Sequence, residues 1–342
     1  MRSIKWPLFA VVLFAVEIGL GHEPFEIQVV DSRTGRGVPM VELKTVGQVP
    51  YYTDSNGLVA FDEPGLMDQR VFFWITSHGY QFPKDSFGYA GARVDVVPGG
   101  SVKLQIERTN VAQRLYRITG GGIYRDTILL GRPAPTKRPL LNGLVLGSDS
   151  VIDAVYGGKL HWFWGDTNQP SYPLGSFKVS GATSLLPGQG GLEPDVGVDL
   201  EYFVDKNGFA KKMAPFKDQG PTWLSGLVVL GDEASGQRML AHYVNIRDGE
   251  NILEATERGL AEFDHEVQEF KKVAKFPAGG LFPSGGHPFQ HAVDGIQYLY
   301  YCDPYPLVRV KADFDHLANL ETYQAYSCLK PGSRLSDERF DR

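Results

Sequence analysis

Residues 147–170 read GSDSVIDAVYGGKLHWFWGDTNQP. Two β-type runs, VIDAVY and KLHWFW, flank a Tyr-Gly-Gly turn, so the stretch predicts an antiparallel pair of strands with an acid near each open end, Asp149 and Asp166. The pattern recurs downstream. Aromatic-rich strands follow a turn at Lys159 (KLHWFWGDT), Gln237 (QRMLAHYVN) and Gln297 (QYLYYCDPY), each after another β-type run. Phe-Asp-His occurs twice later in these units, from Phe263 and Phe314, where Asp264 and Asp315 are expected to cap the turn before a final strand. Four-strand units repeating every roughly 50 to 80 residues are the sequence form of propeller blades. Three such units are visible between residues 142 and 342, fewer than the at least four blades of a closed ring. The ring is therefore expected either to be completed by segments without this pattern or to be open. An irregular β-sandwich is the competing architecture.

Outward from this region, Phe25 to Thr119 alternates short β-type runs with turn signals. Asp54 to Gly57 (DSNG) carries the Asn-Gly pair of a tight hairpin, and a second hairpin is expected around Pro98 to Gly100. Seven short strands in about 95 residues describe a small β-sandwich. Asp31 to Val41 (D-x-x-T-G-x-x-V-P-x-V), followed by TDSNGLVAF, resembles the transthyretin-like or carboxypeptidase-regulatory-like sandwich, which implies a structural or adhesive role for this part. Gly120 to Gly122 lack the Gly-Lys-Ser/Thr that completes a phosphate loop and read as a backbone turn; Pro133, Pro135 and Pro139 read as a stiff extended linker. The expected organisation is all-β: a signal segment at 1–21, a sandwich at 22–119, a linker at 120–141, and a propeller-like region at 142–342.

Residues 1–21 place Arg2 and Lys5 ahead of an apolar run from Trp6 to Val16, which is too short to span a bilayer and is closed by Glu17. This layout predicts export to a secreted or periplasmic location, with no membrane span left after its removal. Composition agrees with a folded soluble protein: 342 residues, 42% hydrophobic, and Gly and Pro frequent at 40 and 22. The formal charge of -6, from 34 basic and 40 acidic residues, argues against a nucleic-acid partner, which would be met by a basic surface. Two cysteines, Cys302 and Cys328, cannot form a four-thiolate metal site, but an oxidising compartment would let them pair.

Asp149 and Asp166 lie 17 residues apart on adjacent strands and can reach the same mouth of a channel. Paired carboxylates are what glycoside hydrolysis needs, one to protonate the leaving oxygen and one to attack or to activate water. Trp162 and Trp164 alternate on one face of the second strand, where a sugar ring could stack. Asp153 competes with Asp149, because period 2 puts both on one strand face. Glu193 in a Gly/Pro loop and His287 at the start of the third unit are further candidates for substrate contact, with His291 behind them. His287 and His291 have the i, i+4 spacing of a helical zinc pair, but Pro288 opposes a helix and the glutamate of the zinc motif is missing.

Ser148-Asp149-Ser150 and Trp164-Gly165-Asp166-Thr167 together resemble the acid pattern of five-bladed propeller glycoside hydrolases, most closely the secreted bacterial arabinofuranose-polymer hydrolases. That resemblance implies catalysis by Asp149 and Asp166 on a polysaccharide or oligosaccharide, and no organic cofactor. It leaves room for a central cation held by histidine. The alternative function is noncatalytic: an exported glycan-binding or surface-interaction protein using the same aromatic surface.

Overall fold

The computed structural model describes residues 23–216, 220–231, 236–248, 253–277, 286–302 and 307–326. The signal-like segment lies outside the described residues, and so does Cys328, with it the expected pairing to Cys302. The structure is all-β, with an N-terminal sandwich followed by several small sheets.

The sandwich has eight strands: β1 (Phe25–Asp31), β2 (Glu42–Thr45), β3 (Pro50–Tyr52), β4 (Leu58–Phe61), β5 (Arg70–Thr76), β6 (Tyr80–Gln81), β7 (Gly91–Asp95) and β8 (Ser101–Arg108). One sheet has the order β4-β1-β8-β6 and the other β3-β2-β5-β7. Alternation along the strands sends Ile27, Val29, Leu43, Phe61, Phe73 and Ile106 into a shared core. Strands β1 and β8 run parallel, with Glu26 opposite Ser101.

Both expected hairpins prove to be corners. Strand β3 belongs to one sheet and β4 to the other, so the DSNG turn carries the chain across the sandwich; the turn at Pro98 to Gly100 does the same between β7 and β8. The local turn chemistry holds, since Gly57 has φ +73° and Asp54 Oδ1 accepts from the amides of Asn56 and Leu58. What the turn joins is decided by strands distant in sequence: β4 pairs antiparallel with one edge of β1, and β8 pairs parallel with the other.

The segment 120–141 is likewise no extended spacer. It contains a short helix, α1 (Arg125–Leu129), packed on β4. Asp54 Oδ2 accepts from both the amide and the hydroxyl of Thr127, each at 2.6 Å, and Asp126 Oδ1 accepts from the Ala60 amide at 2.9 Å. The buried Asp54 carboxylate thus joins the turn to the connecting segment.

The second region contains β9 (Gly147–Ser148), β10 (Val151–Tyr156), β11 (Lys159–Trp164), β12 (Thr167–Gln169), β13 (Tyr172–Ser176), β14 (Ser180–Leu185) and β15 (Glu201–Tyr202) in its first unit. Strands β16 (Thr222–Leu230), β17 (Arg238–Asp248), β18 (Leu253–Asp264) and β19 (Glu269–Phe276) form the second unit, and β20 (Phe289–Val293), β21 (Ile296–Tyr301), β22 (Val308–Lys311) and β23 (Gln324–Ala325) the third. Each unit is a four-stranded antiparallel meander in chain order, β10-β11-β14-β15, β16-β17-β18-β19 and β20-β21-β22-β23; β13, β12 and β9 make a small extra sheet beside the first. Phe163, Met239, Tyr243, Phe263 and Phe270 fill the space between the first two meanders, and Leu240, Leu260, Leu299, Tyr301 and Val310 the space between the second and third. The units therefore stack face to face through apolar residues. A closed ring is not seen among the described residues.

The two Phe-Asp-His sequences differ in structure. Asp264 caps the β18–β19 turn, accepting from the amides of Glu266 and Val267. Phe314 instead begins a one-turn helix, α2 (Phe314–Leu317), whose cap is Asp313 and not Asp315. Asp313 precedes the repeat and its carboxylate takes the His316 amide at 3.0 Å, so the local capping bond overrides the similarity of the tripeptide.

Candidate functional site

The pair of strands 147–169 passes from one sheet to another at its acids. Strand β9 pairs with β12, with Ser148 opposite Thr167, and β10 pairs with β11, with Val151 opposite Trp164. Asp149 and Ser150 on one side, and Gly165 and Asp166 on the other, occupy the join. The Gly165 amide bonds the Asp149 carbonyl at 3.0 Å, and the Asp166 amide turns to the Asp149 side chain, donating to Oδ1 at 3.0 Å. A side chain at position 165 would collide with that same Oδ1, so glycine lets the Asp149 carboxylate sit where it does.

A cleft of about 300 Å3 opens at this join. The first meander supplies Asp149 to Ile152, Phe163 to Asp166, and Val179; β16 of the second supplies Trp223 and Leu224. Two of the lining residues have strained backbones: Ser150 at φ +43° and the β-branched Val179 at φ +61°. Such conformations cost of order 1–3 kcal/mol each and persist where the surroundings dictate them. Here the ladders on both sides of the join dictate Ser150. Val179 is fixed by amides that reach its neighbourhood from other segments, Met213 to the Val179 carbonyl and Ala214 to that of Lys178.

The two carboxylates stand in different surroundings. Asp149 Oδ1 receives the Asp166 backbone amide. Burial pushes the Asp166 carboxyl up, and the neighbouring Asp149 charge adds to this; the Trp223 side chain, lying against the carboxylate, pulls weakly the other way. Asp166 Oδ1 is buried and accepts no well-aligned hydrogen bond. An oxygen in that condition is an unused acceptor, or a donor once protonated, on a residue that lines a cleft large enough for a ligand group.

The other residues singled out in the sequence lie elsewhere. Trp164 lines the cleft, whereas Trp162 stacks on it at 6.3 Å between ring centroids and spends its indole N–H on Ser184 Oγ at 2.9 Å. Asp153 is outside the cleft and paired with His287: Nε2 of His287 accepts from the Asp153 amide at 3.0 Å and lies 3.3 Å from Asp153 Oδ1. Glu193 sits in a turn whose carbonyl accepts from Val196 and Gly197, and the adjoining Asp195 and Val196 line a separate cleft with Arg36, Ser55 and Asn56. His291 lies on β20 opposite Tyr298. Among the described residues no group of three or more His, Cys, Asp or Glu side chains is placed to hold a metal ion, and no helix is long and apolar enough to cross a membrane. Trp223, Leu224 and Val179 were not legible as site residues. TWLSGLVVL reads as a strand, but nothing in it says that its first two side chains after Thr222 will meet a corner about 60 residues upstream.

No family profile matches the chain, and no curated protein matches it. Among solved structures it is similar to one described as a "putative hydrolase" from Bacteroides ovatus, with 14% identity and a TM-score of 0.28. That similarity covers 50% of this chain and 49% of the other, so the chain spans about half the length of the structure it matches.

Proposed function

We propose that the protein is an exported glycoside hydrolase that cuts a polysaccharide or oligosaccharide with Asp149 and Asp166. The observation that carries this reading is the convergence of both acids on one aromatic-walled cleft, with Asp166 held toward its neutral form and one of its oxygens unsatisfied. In this scheme Asp166 gives its proton to the glycosidic oxygen as the bond to the anomeric carbon breaks. Asp149, braced by the Asp166 amide, either attacks that carbon or takes the proton from an attacking water. In the first case, water then displaces Asp149 and returns its proton to Asp166; in the second, water's oxygen ends on the sugar directly. A carboxyl separation of roughly 5 to 5.5 Å suits the first course and roughly 6.5 to 9.5 Å the second. At about 300 Å3 the cleft is at the small end of ligand sites and suits a single ring bound beside the half-buried Trp223. Export rests on the leader-like segment at residues 1–21.

One observation favours the noncatalytic alternative. Asp149 Oδ1 is already engaged with the Asp166 amide, as an acid that merely locks a strand join would be. Single Asp149→Asn and Asp166→Asn proteins, assayed on furanose and pyranose polysaccharides with circular dichroism as the folding control, separate the two. Hydrolysis by the parent that is lost from both variants supports the enzyme. Full activity in either variant removes that residue from the pair, and oligosaccharide binding by a parent that cleaves nothing supports the binding protein.

A further inference from the structure

The sheet β3-β2-β5-β7 turns one face into the sandwich core and the other outward. Alternation on β5 buries Val71, Phe73 and Ile75 and sends Phe72 and Trp74 to the outer face. The loop between β6 and β7 adds Phe87 and Tyr89, exposed at 80% and 49%. Edge-to-face packing links Phe72 to Trp74 at 5.2 Å between ring centroids and Trp74 to Tyr89 at 4.8 Å, and Phe87 follows at 6.4 Å from Tyr89. The loop is held in shape by Asp85, whose Oδ1 accepts from the amides of Phe87 and Tyr89, each at 2.9 Å. Gly91 leaves the room that the Phe72 ring uses, since a Cβ there would come within 2.5 Å of Phe72 Cζ. The solvent face of an antiparallel sheet is ordinarily polar, so a fixed row of four aromatic rings on it marks a binding surface.

The charges around these rings say what the surface meets. Glu42 accepts from the hydroxyls of Tyr52 and Thr76, and Asp95 is held by Arg70 through two hydrogen bonds. Lys44, opposite Trp74 on β2, and Arg93, opposite Phe72 on β7, have no side-chain hydrogen bond or ion pair among the described residues. The two uncommitted charges are therefore both positive and flank the aromatic pair on a diagonal. Strand spacing of about 4.8 Å and a rise of about 3.4 Å per residue put their Cα atoms about 12 Å apart with two rings between them, which suits an extended ligand better than one small anion. We infer that this face binds an acidic polysaccharide whose sugar rings carry carboxylates, with the rings resting on the aromatic row and the carboxylates meeting Lys44 and Arg93. The C–H bonds on the flat side of a sugar are slightly positive and match the negative face of an aromatic ring, and the arginine fork matches a carboxylate. A single-stranded nucleic acid also stacks, but it carries a charge at every nucleotide and needs a basic track, whereas this chain has 34 basic and 40 acidic residues. A two-fold dimer through this face would set the cations of one copy against those of the other. The site lies on the sandwich, apart from Asp149 and Asp166, and does not depend on their cleft being catalytic.

The test is affinity electrophoresis of the full chain through gels containing polygalacturonate, alginate or glucuronoxylan, with highly methyl-esterified pectin as a polymer whose carboxylates are capped. Retardation by at least one of the three acidic polymers is expected, weaker at high salt and weaker still with the esterified one. Combining Lys44→Gln with Arg93→Gln should lower the affinity roughly tenfold, and Phe87→Ala roughly fivefold, with circular dichroism spectra like the parent's. Retardation by none of the three acidic polymers overturns the proposal. So does equal retardation by the esterified pectin, or stronger binding of oligodeoxythymidylate than of any uronate, and both of these are read on the parent alone. A folded double variant that binds as tightly as the parent overturns it too. Asp149→Asn should be retarded as the parent is; loss of binding there would assign the glycan to the acid cleft and overturn the site on the sandwich. If the parent binds a uronate polymer but cleaves no glycan, the hydrolase reading fails and this site stands.

Discussion

His242 offers the sharpest test of how the meanders are held together. It lies on β17, fully buried between the second and third sheets, with the rings of Tyr301, Tyr323 and Phe276 at 5.1, 6.1 and 6.2 Å between centroids. Its Nε2 is 3.0 Å from Tyr323 Oη, and the Tyr323 hydroxyl donates to the Leu317 carbonyl, so Nε2 carries the hydrogen and donates to the tyrosine. A second proton would go to Nδ1, in a space so tight that a side chain on Gly226 would come within 3.0 Å of it. Burial pushes the imidazole down to about 4 from its ordinary 6.5. The unfolded chain therefore binds this proton at a higher pH than the folded one, so the stability is fully present above 6.5 and is lost as pH falls toward 4. For one such site the loss is about 2 kcal/mol at pH 5 and approaches about 3 kcal/mol below pH 4. Urea unfolding followed by tryptophan fluorescence and circular dichroism at pH 7.5 and 5.0, on the parent and on His242→Gln, measures it. Glutamine keeps a donor near Nε2 and does not titrate. His161, also lowered by burial, is present in both proteins and cancels in the comparison. The parent should lose about 2 kcal/mol more than the variant between the two conditions. An equal loss in both would refute the account of His242 as a buried neutral imidazole.

Gly165→Ala should displace the Asp149 carboxylate, because the added methyl claims the position of Oδ1; glycan turnover is expected to fall by at least tenfold, about 1.4 kcal/mol in the barrier, with the circular dichroism spectrum retained. Asp166→Asn should abolish turnover yet raise the melting temperature at neutral pH. The folded-state Asp166 carboxyl titrates above its ordinary value, so ionising it costs stability as pH rises through that window, and the amide removes the cost; a lower melting temperature at pH 7 than the parent's would contradict this. Asp54→Ala removes an acceptor for the amides of Asn56, Leu58 and Thr127 and for the Thr127 hydroxyl, and should cost about 2–4 kcal/mol in urea unfolding, with early loss of protection at the amides of 124–130 in hydrogen exchange.

Short-range chemistry is legible in the order of the residues. Strand alternation, the Tyr-Gly-Gly turn and the recurring aromatic strands identify an all-β chain with three meanders, and the spacing of Asp149 and Asp166 around one turn places both at one end of a strand pair. The remainder follows from how the sheets pack. Period 2 cannot choose between Asp149 and Asp153, because the rule assumes an unbroken strand, and Ser150 at φ +43° breaks it between β9 and β10. Turn residues specify a local bend but not the sheet of the strand that follows, so DSNG reads as a hairpin although it is a corner. Trp223 enters the acid cleft only through the packing of one sheet on another, and His287 reaches Asp153 from 134 residues away. Contacts of that range arise from burying the faces of whole sheets, and no window of sequence contains both partners.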